Sequence, residues 1–144
     1  MHAKKNTIPY LIVDTKKRNF EKIILKEIKK YKISLICLAG YMKIISKNFI
    51  NNCGKKIINI HPSLLPKFGG KGFFGRKVHQ AVLDSGDLAT GATVHLVNEE
   101  YDSGKILGQV EVPVKLEDSI ESLEKRVKLA EKKYLIEILQ ALWQ

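Results

Sequence analysis

Apolar residues fall along this chain in short continuous runs that alternate with stretches of helical spacing. Ile8–Val13 (IPYLIV) is apolar throughout and ends at Asp14 and Thr15, the pattern of a buried strand. From Asn19 to Tyr31 the positions Phe20, Ile23, Ile24, Ile28 and Tyr31 recur at helical spacing with lysines opposite, which predicts an amphipathic helix. Ser34–Ala39 (SLICLA) reads as a second buried strand broken by Gly40, and Ser46 is placed to cap a short helix over Ser46–Asn52. Lys56–Ile60 (KIINI) predicts a strand that runs into His61-Pro62. Pro66–Gly75, with glycines at 69, 70, 72 and 75, predicts a long loop.

Arg76–Ser85 predicts a helix with Val78, Ala81 and Val82 on one face and Gly86 as its C-cap. Ala92–Val97 and Ile106–Val114 alternate partly with period two and predict strands, joined through a turn at Asn98–Gly104. The end of the chain, from Asp118 or Ser119 to Leu142, predicts one long helix. Its apolar face is Ile120, Leu123, Val127, Ala130, Tyr134, Ile138 and Leu142.

Buried strands alternating with helices predict an α/β fold with a mostly parallel sheet flanked by helices. In such sheets ligands bind beyond the carboxyl ends of the strands. Three predicted strand ends carry polar or flexible residues: Gly40–Lys43, Asn59–Pro62, and Asn98 through Asp102 to Gly104. Their convergence predicts a site.

Composition narrows the class. The 144 residues suit one domain, with 44% hydrophobic and 28% charged. No stretch approaches the ~20 apolar residues of a membrane span. Met1–Thr7 is polar and Ile8–Val13 is too short for a secretory core, and the two cysteines, Cys37 and Cys53, lack metal or redox spacing. A cytoplasmic domain with reduced thiols is the expectation. The formal net charge is +10, yet only Arg18, Arg76 and Arg126 of the 25 basic residues are arginine, and no basic run interleaves with aromatics. A nucleic-acid partner is therefore not expected, and the lysines read as a solvated surface that helps attract an anionic small molecule.

Asn59 and His61 stand two apart at a strand end, so both side chains project from one face. An amide donor beside an imidazole suits transfer at a carbonyl: the imidazole moves a proton while the amide steadies the developing oxyanion. Asp102, in a Tyr-Asp-Ser-Gly turn, is a turn former or a partner that favours protonated His61. Thr93 and His95 share a face of their strand and either line the same pocket or satisfy bonds beside the core. His2 and His79 read as surface residues. No spacing of His, Cys or carboxylates suggests a metal, and Gly69-Gly70-Lys71-Gly72 lacks the frame of a phosphate loop.

Taken together, LAGYMKIIS, a strand ending NIHPSLLPKF, then GATVHLV and YDSG closely resemble the formyltetrahydrofolate-dependent formyltransferases over nearly the whole chain. The resemblance implies a Rossmann-like formyltransferase fold. It also implies transfer of a formyl group from 10-formyltetrahydrofolate, as cosubstrate, to the amino group of glycinamide ribonucleotide in purine biosynthesis, with no metal. Asn59, His61 and Asp102 fall on the family's catalytic residues. Met42, Lys43, Ile44 and Ile45, together with Asn59, match the folate-cradling positions, and Lys17 falls near a further folate contact. Glu131 matches a carboxylate that contacts the glycinamide substrate, with Thr93 and His95 beside it.

The family's opening strand and its Gly-Ser-Asn phosphate loop have no counterpart here. The resemblance thus implies that residues 1–144 form an N-terminally incomplete domain lacking its first two βα units, with low turnover by itself. Folate binding without turnover is the other reading, as is a sibling of the family, a deformylase or methionyl-tRNA formyltransferase. The expected partners are the two small molecules, with no nucleic acid and no membrane, in a monomer or homodimer.

Overall fold

The computed structural model of the chain describes residues 2–142. Capping chemistry sets most of its boundaries. After a single helical turn, α1 (His2–Lys5), the first long element is α2 (Phe20–Lys30), flanked by Asn19 and Tyr31 as the spacing predicts. β1 (Leu35–Leu38) follows, then α3 (Lys47–Cys53). Ser46 caps α3, accepting the Phe49 N–H on its hydroxyl at 3.0 Å, and Gly54 ends it in the left-handed conformation at φ 60°. Glu21 of α2 accepts from the Ser46 N–H at 2.9 Å and from its hydroxyl, tying the two helices together.

β2 (Lys56–His61) leads into the loop, and α4 (Arg76–Ser85) emerges from it. Gly86, at φ 70°, closes α4 where the sequence places its stop. β3 (Ala89–Leu96), β4 (Ile106–Pro113) and α5 (Ile120–Leu142) complete the chain.

The predicted strand at Ile8–Val13 does not form. A strand must hand its backbone groups to a neighbour, and among the described residues no strand runs beside this segment. It remains irregular, with Ile8, Tyr10, Leu11 and Ile12 exposed. β1 is therefore an edge of the described sheet, whose order is β1-β2-β3-β4.

The sheet is mixed. β1 and β2 pair in parallel across α3, as the βαβ reading requires, whereas β2–β3 and β3–β4 pair antiparallel. Parallel neighbours need a crossover of a dozen or more residues, and the short link between β3 and β4 permits only a hairpin.

Two cores lie on opposite faces. Ile57 on β2 packs with Ile28 of α2 and with Phe49 and Cys53 of α3 on one face. On the other, Val112 of β4 packs with Val82 of α4 and with Leu123 and Val127 of α5. Gly108 on β4 allows α5 to come close, since a Cβ there would fall on the Tyr134 hydroxyl.

Candidate active site

Register alone brings the candidate residues together. Leu38 of β1 lies beside Asn59 of β2, and Asn59 lies opposite His95 of β3. By strand alternation Asn59, His61 and His95 share one face. A register shift between Val94 and His95 breaks the β3–β4 ladder next to that face, as bulges near sites commonly do. Beyond the end of β2 a cavity of about 530 Å³ opens, and all three predicted strand ends line it. Its far wall is α5, through Glu124, Lys128, Glu131, Lys132 and Leu135. The volume suits a small organic molecule.

Asp102 is the centre of the polar cluster. It adopts φ 51°, a left-handed geometry that Asp tolerates better than most residues, and this turns its carboxylate back toward the sheet. One oxygen, Oδ2, accepts the Gly70 N–H at 2.9 Å and lies 3.4 Å from His61 Nδ1; the other, Oδ1, lies 3.5 Å from His95 Nε2. Gly69 packs beside Asp102, where a Cβ would strike the end of the Leu65 side chain. Burial works against the Asp102 charge, but His95, the Gly70 N–H and His61 outweigh it and hold the carboxyl below its ordinary pKa.

His95 Nδ1 lies 2.9 Å from the Leu96 carbonyl, which can only accept, so this nitrogen carries the proton. In the neutral ring Nε2 accepts from the Asn59 amide at 3.2 Å, which leaves the second amide N–H available to the cavity; in the protonated ring Nε2–H faces Asp102 Oδ1 at 3.5 Å and lowers that carboxyl's pKa.

His61 is buried, with Nε2 donating to the Phe68 carbonyl at 2.8 Å and Nδ1 facing Asp102. Burial lowers its pKa more than Asp102 and the Phe68 carbonyl raise it. The Phe68 carbonyl occupies Nε2, so this nitrogen serves a substrate only by exchanging that carbonyl for it.

Other predicted site residues divide cleanly. Met42, Lys43, Ile44 and Ile45 line the cavity at the exit of β1, and Lys43 Nζ donates to the Thr15 carbonyl at 2.9 Å. Glu131 lines the opposite wall, where burial pushes its carboxyl up to about 7.

Thr93 lies outside the cavity lining. Its hydroxyl donates to the Ser63 carbonyl at 2.7 Å and accepts from the Leu65 N–H and from Gln109 Nε2, which exhausts its bonding capacity. It pins the loop after β2 to the sheet rather than meeting a substrate. Lys17 is exposed and also outside the lining.

His79 reverses the surface reading. Only 2% exposed, it lines the cavity from α4, and its Nδ1 is buried without a partner. Burial lowers its pKa, against the pull of Glu124. The signal was available in the sequence, since 78, 79 and 82 form one helical stripe.

Among the described residues no group of three or more His, Cys, Asp or Glu is placed to hold a metal ion, and no helix is long and apolar enough to cross a membrane.

The formyl transferase family matches residues 2–139. The phosphoribosylglycinamide formyltransferase of Arabidopsis thaliana chloroplasts is 43% identical over 146 residues, covering 98% of this chain and 50% of that protein. The Haemophilus influenzae enzyme of the same name is 46% identical over 111 residues, covering 77% of this chain and 49% of that protein. The chain thus spans about half the length of the curated relatives it matches. Among solved structures, the phosphoribosylglycinamide formyltransferase of Brucella melitensis superposes with a TM-score of 0.86 at 40% identity, covering 98% of this chain and 72% of the other. That of Streptococcus pneumoniae gives 0.88 at 29% identity, covering 99% and 78%. With a family match over nearly its whole length and this fold, the chain belongs to the formyl transferase family.

Proposed function

We propose that this chain carries a formyl-transfer centre that moves a formyl group from 10-formyltetrahydrofolate to the amino group of glycinamide ribonucleotide. The observation that carries the reading is the Asp102 carboxylate set between His61 and His95, with the Asn59 amide oriented beside them. The names of the relatives support the choice of substrates.

The cavity fits the donor chemically. Met42, Ile44 and Leu135 offer apolar surface to a flat ring system, and the backbone of Gly40–Met42 offers polar groups at its edge. Lys43 and Lys132 make the wall attractive to an anionic ester.

When bound, the donor supplies a formyl carbon open to attack by an amine. The chain's residues then act on charge and protons. The free Asn59 N–H steadies the negative charge that grows on the formyl oxygen as the new C–N bond forms. His61, released from the Phe68 carbonyl, gains a proton more readily once that charge is near. It takes up the proton that the amine loses as the new C–N bond forms and hands a proton to the departing nitrogen as the old C–N bond breaks. Asp102 faces the imidazole and favours its charged form at that moment. Glu131 receives the amine-bearing substrate from the opposite wall.

The test is formylation of glycinamide ribonucleotide by the chain, followed by mass and by loss of the donor. His61→Ala is expected to lower the rate by about 10²–10⁴-fold while donor affinity stays within a few-fold. Absence of product from the parent chain at high enzyme concentration, or a His61→Ala variant that keeps most of its rate, refutes the proposal.

A further inference from the structure

Glu124, Lys128 and Glu131 follow one another along α5 at spacings of four and three, so all three line the same wall of the cavity. Lys128 therefore has two carboxylates within reach on its own helix. It takes the first: its Nζ lies 2.6 Å from Glu124 Oε1. The other oxygen of Glu124 faces Arg76 Nε of α4 at 3.9 Å, while the Arg76 guanidinium pairs more closely with Glu121. Glu131 has no ion pair or hydrogen bond among the described residues, although it is half-buried.

We infer that Glu124 is a positioning residue: by holding Lys128 it keeps the Glu131 carboxyl unpaired and open to the N–H groups of the incoming amine substrate. The inference rests on the formyl-transfer reading, in which Glu131 receives that substrate.

A half-buried carboxyl without a partner is an unfavourable arrangement, and burial accordingly pushes Glu131 up to about 7, with Lys128 pulling down and Glu124 pushing up. The simplest remedy would be a turn of the Lys128 side chain from Glu124 to Glu131. The sequence order disfavours it, because a Glu four residues before a Lys is the better helical pair. The remaining titratable groups lining the cavity are Lys132 on α5 and His79 on α4, with Tyr41, Lys43, His61, His95, Glu100, Tyr101 and Asp102 across it. A ligand N–H entering the cavity thus meets a carboxyl whose bonding capacity is unspent.

Glu124→Gln in the full chain tests the inference. It frees Lys128 to pair with Glu131, so the substrate must compete with an internal ammonium group. Site-resolved ¹³C carboxyl titration of Glu131 is expected to move down from about 7 by roughly one pH unit or more. KM for glycinamide ribonucleotide is expected to rise about three- to tenfold, with the loss falling on KM rather than kcat. Adding Lys128→Met to Glu124→Gln removes the competitor and is expected to restore both readouts. A purely structural role for Glu124 would move neither in this pattern. An unmoved Glu131 titration, or failure of Lys128→Met to restore it, overturns the inference even with formyl transfer intact. A Glu131 titration that shifts and recovers while no variant binds glycinamide ribonucleotide refutes the formyl-transfer reading, and with it the ligand named for Glu131.

Discussion

Replacing Asp102 with Asn isolates the charge at the centre of the cluster. Asn tolerates the left-handed φ of 51°, and its carbonyl oxygen can still accept the Gly70 N–H that Asp102 Oδ2 receives at 2.9 Å. The loop should stay in place. What disappears is a negative charge 3.4 Å from His61 Nδ1 and 3.5 Å from His95 Nε2. These separations exceed those of a short charge-assisted hydrogen bond, so the interaction is mainly coulombic. Unit charges 4 Å apart interact by about 1 kcal/mol in water and about 4 kcal/mol at the effective dielectric near a protein surface. An intermediate value of about 1–3 kcal/mol corresponds to about 1–2 pH units in the titration of His61.

Burial already lowers the His61 pKa, and loss of Asp102 removes the first opposing influence, so the expected direction is further down. Imidazole NMR titration of His61 in the parent chain and in Asp102→Asn measures this directly. The rate of formyl transfer should fall about 10²–10³-fold, because the charged imidazole is harder to reach when it is needed. A stability signature accompanies it. The folded pKa of Asp102 lies below its ordinary value, so its carboxylate contributes stability above about pH 4 that is lost as pH falls. Asp102→Asn should lack that acid-sensitive contribution. A His61 midpoint that does not move would refute the assignment of Asp102 as its electrostatic partner, whatever happens to the rate.

The remaining predictions concern stability. Arg126 grips Asp118 with both terminal nitrogens, at 2.6 and 2.5 Å, and Asp118 also accepts from the Ser122 hydroxyl and the Lys115 N–H at the start of α5. Asp118→Ala should cost about 2–4 kcal/mol at pH 7, measured by urea denaturation, since it strands a half-buried guanidinium. Arg126 holds the Asp118 carboxyl well below the usual range, so this contribution is present above about pH 4 and fades below it. His61 and His79 both sit below the ordinary histidine pKa because they are buried. Between those lowered values and about 6.5 the unfolded chain binds more protons than the folded one, so stability rises with pH across that window. Glu131, raised to about 7, works in the opposite sense in the same window, so the histidine contribution is read as a difference: from pH 7.5 to 5.5 the Tm of His79→Leu should fall less, or rise more, than that of the parent chain, and an identical pH dependence counts against His79.

Local chemistry was legible in the sequence wherever it decided the outcome alone. Ser46 caps α3, Gly86 stops α4, and Asn59 and His61 reach one cavity because strand alternation leaves them no other choice. The failures share a different cause. Ile8–Val13 has the composition of a strand, but a strand exists only beside a partner, and no local pattern reports whether the partner is there. Lys17 lies outside the cavity lining. Thr93 lies on the predicted face, but Ser63, Leu65 and Gln109 claim its hydroxyl from segments 16 to 30 residues away.

α5 shows where the limit lies. Its apolar stripe through Leu123 and Val127 was readable from spacing, and it packs where expected. The neighbouring stripe of Glu124, Lys128 and Glu131 has the composition of a solvated face, because an ion pair along a helix looks the same whether water or a cavity lies beyond it. What converts it into a cavity wall is α4, which brings Arg76 against Glu124 and buries His79 alongside. Glu124, the partner of Lys128, lies on the same wall as Glu131, with α4 beside it. An identical stripe on an isolated helix would collapse into a chain of ion pairs; held against α4, it keeps one carboxyl in reserve.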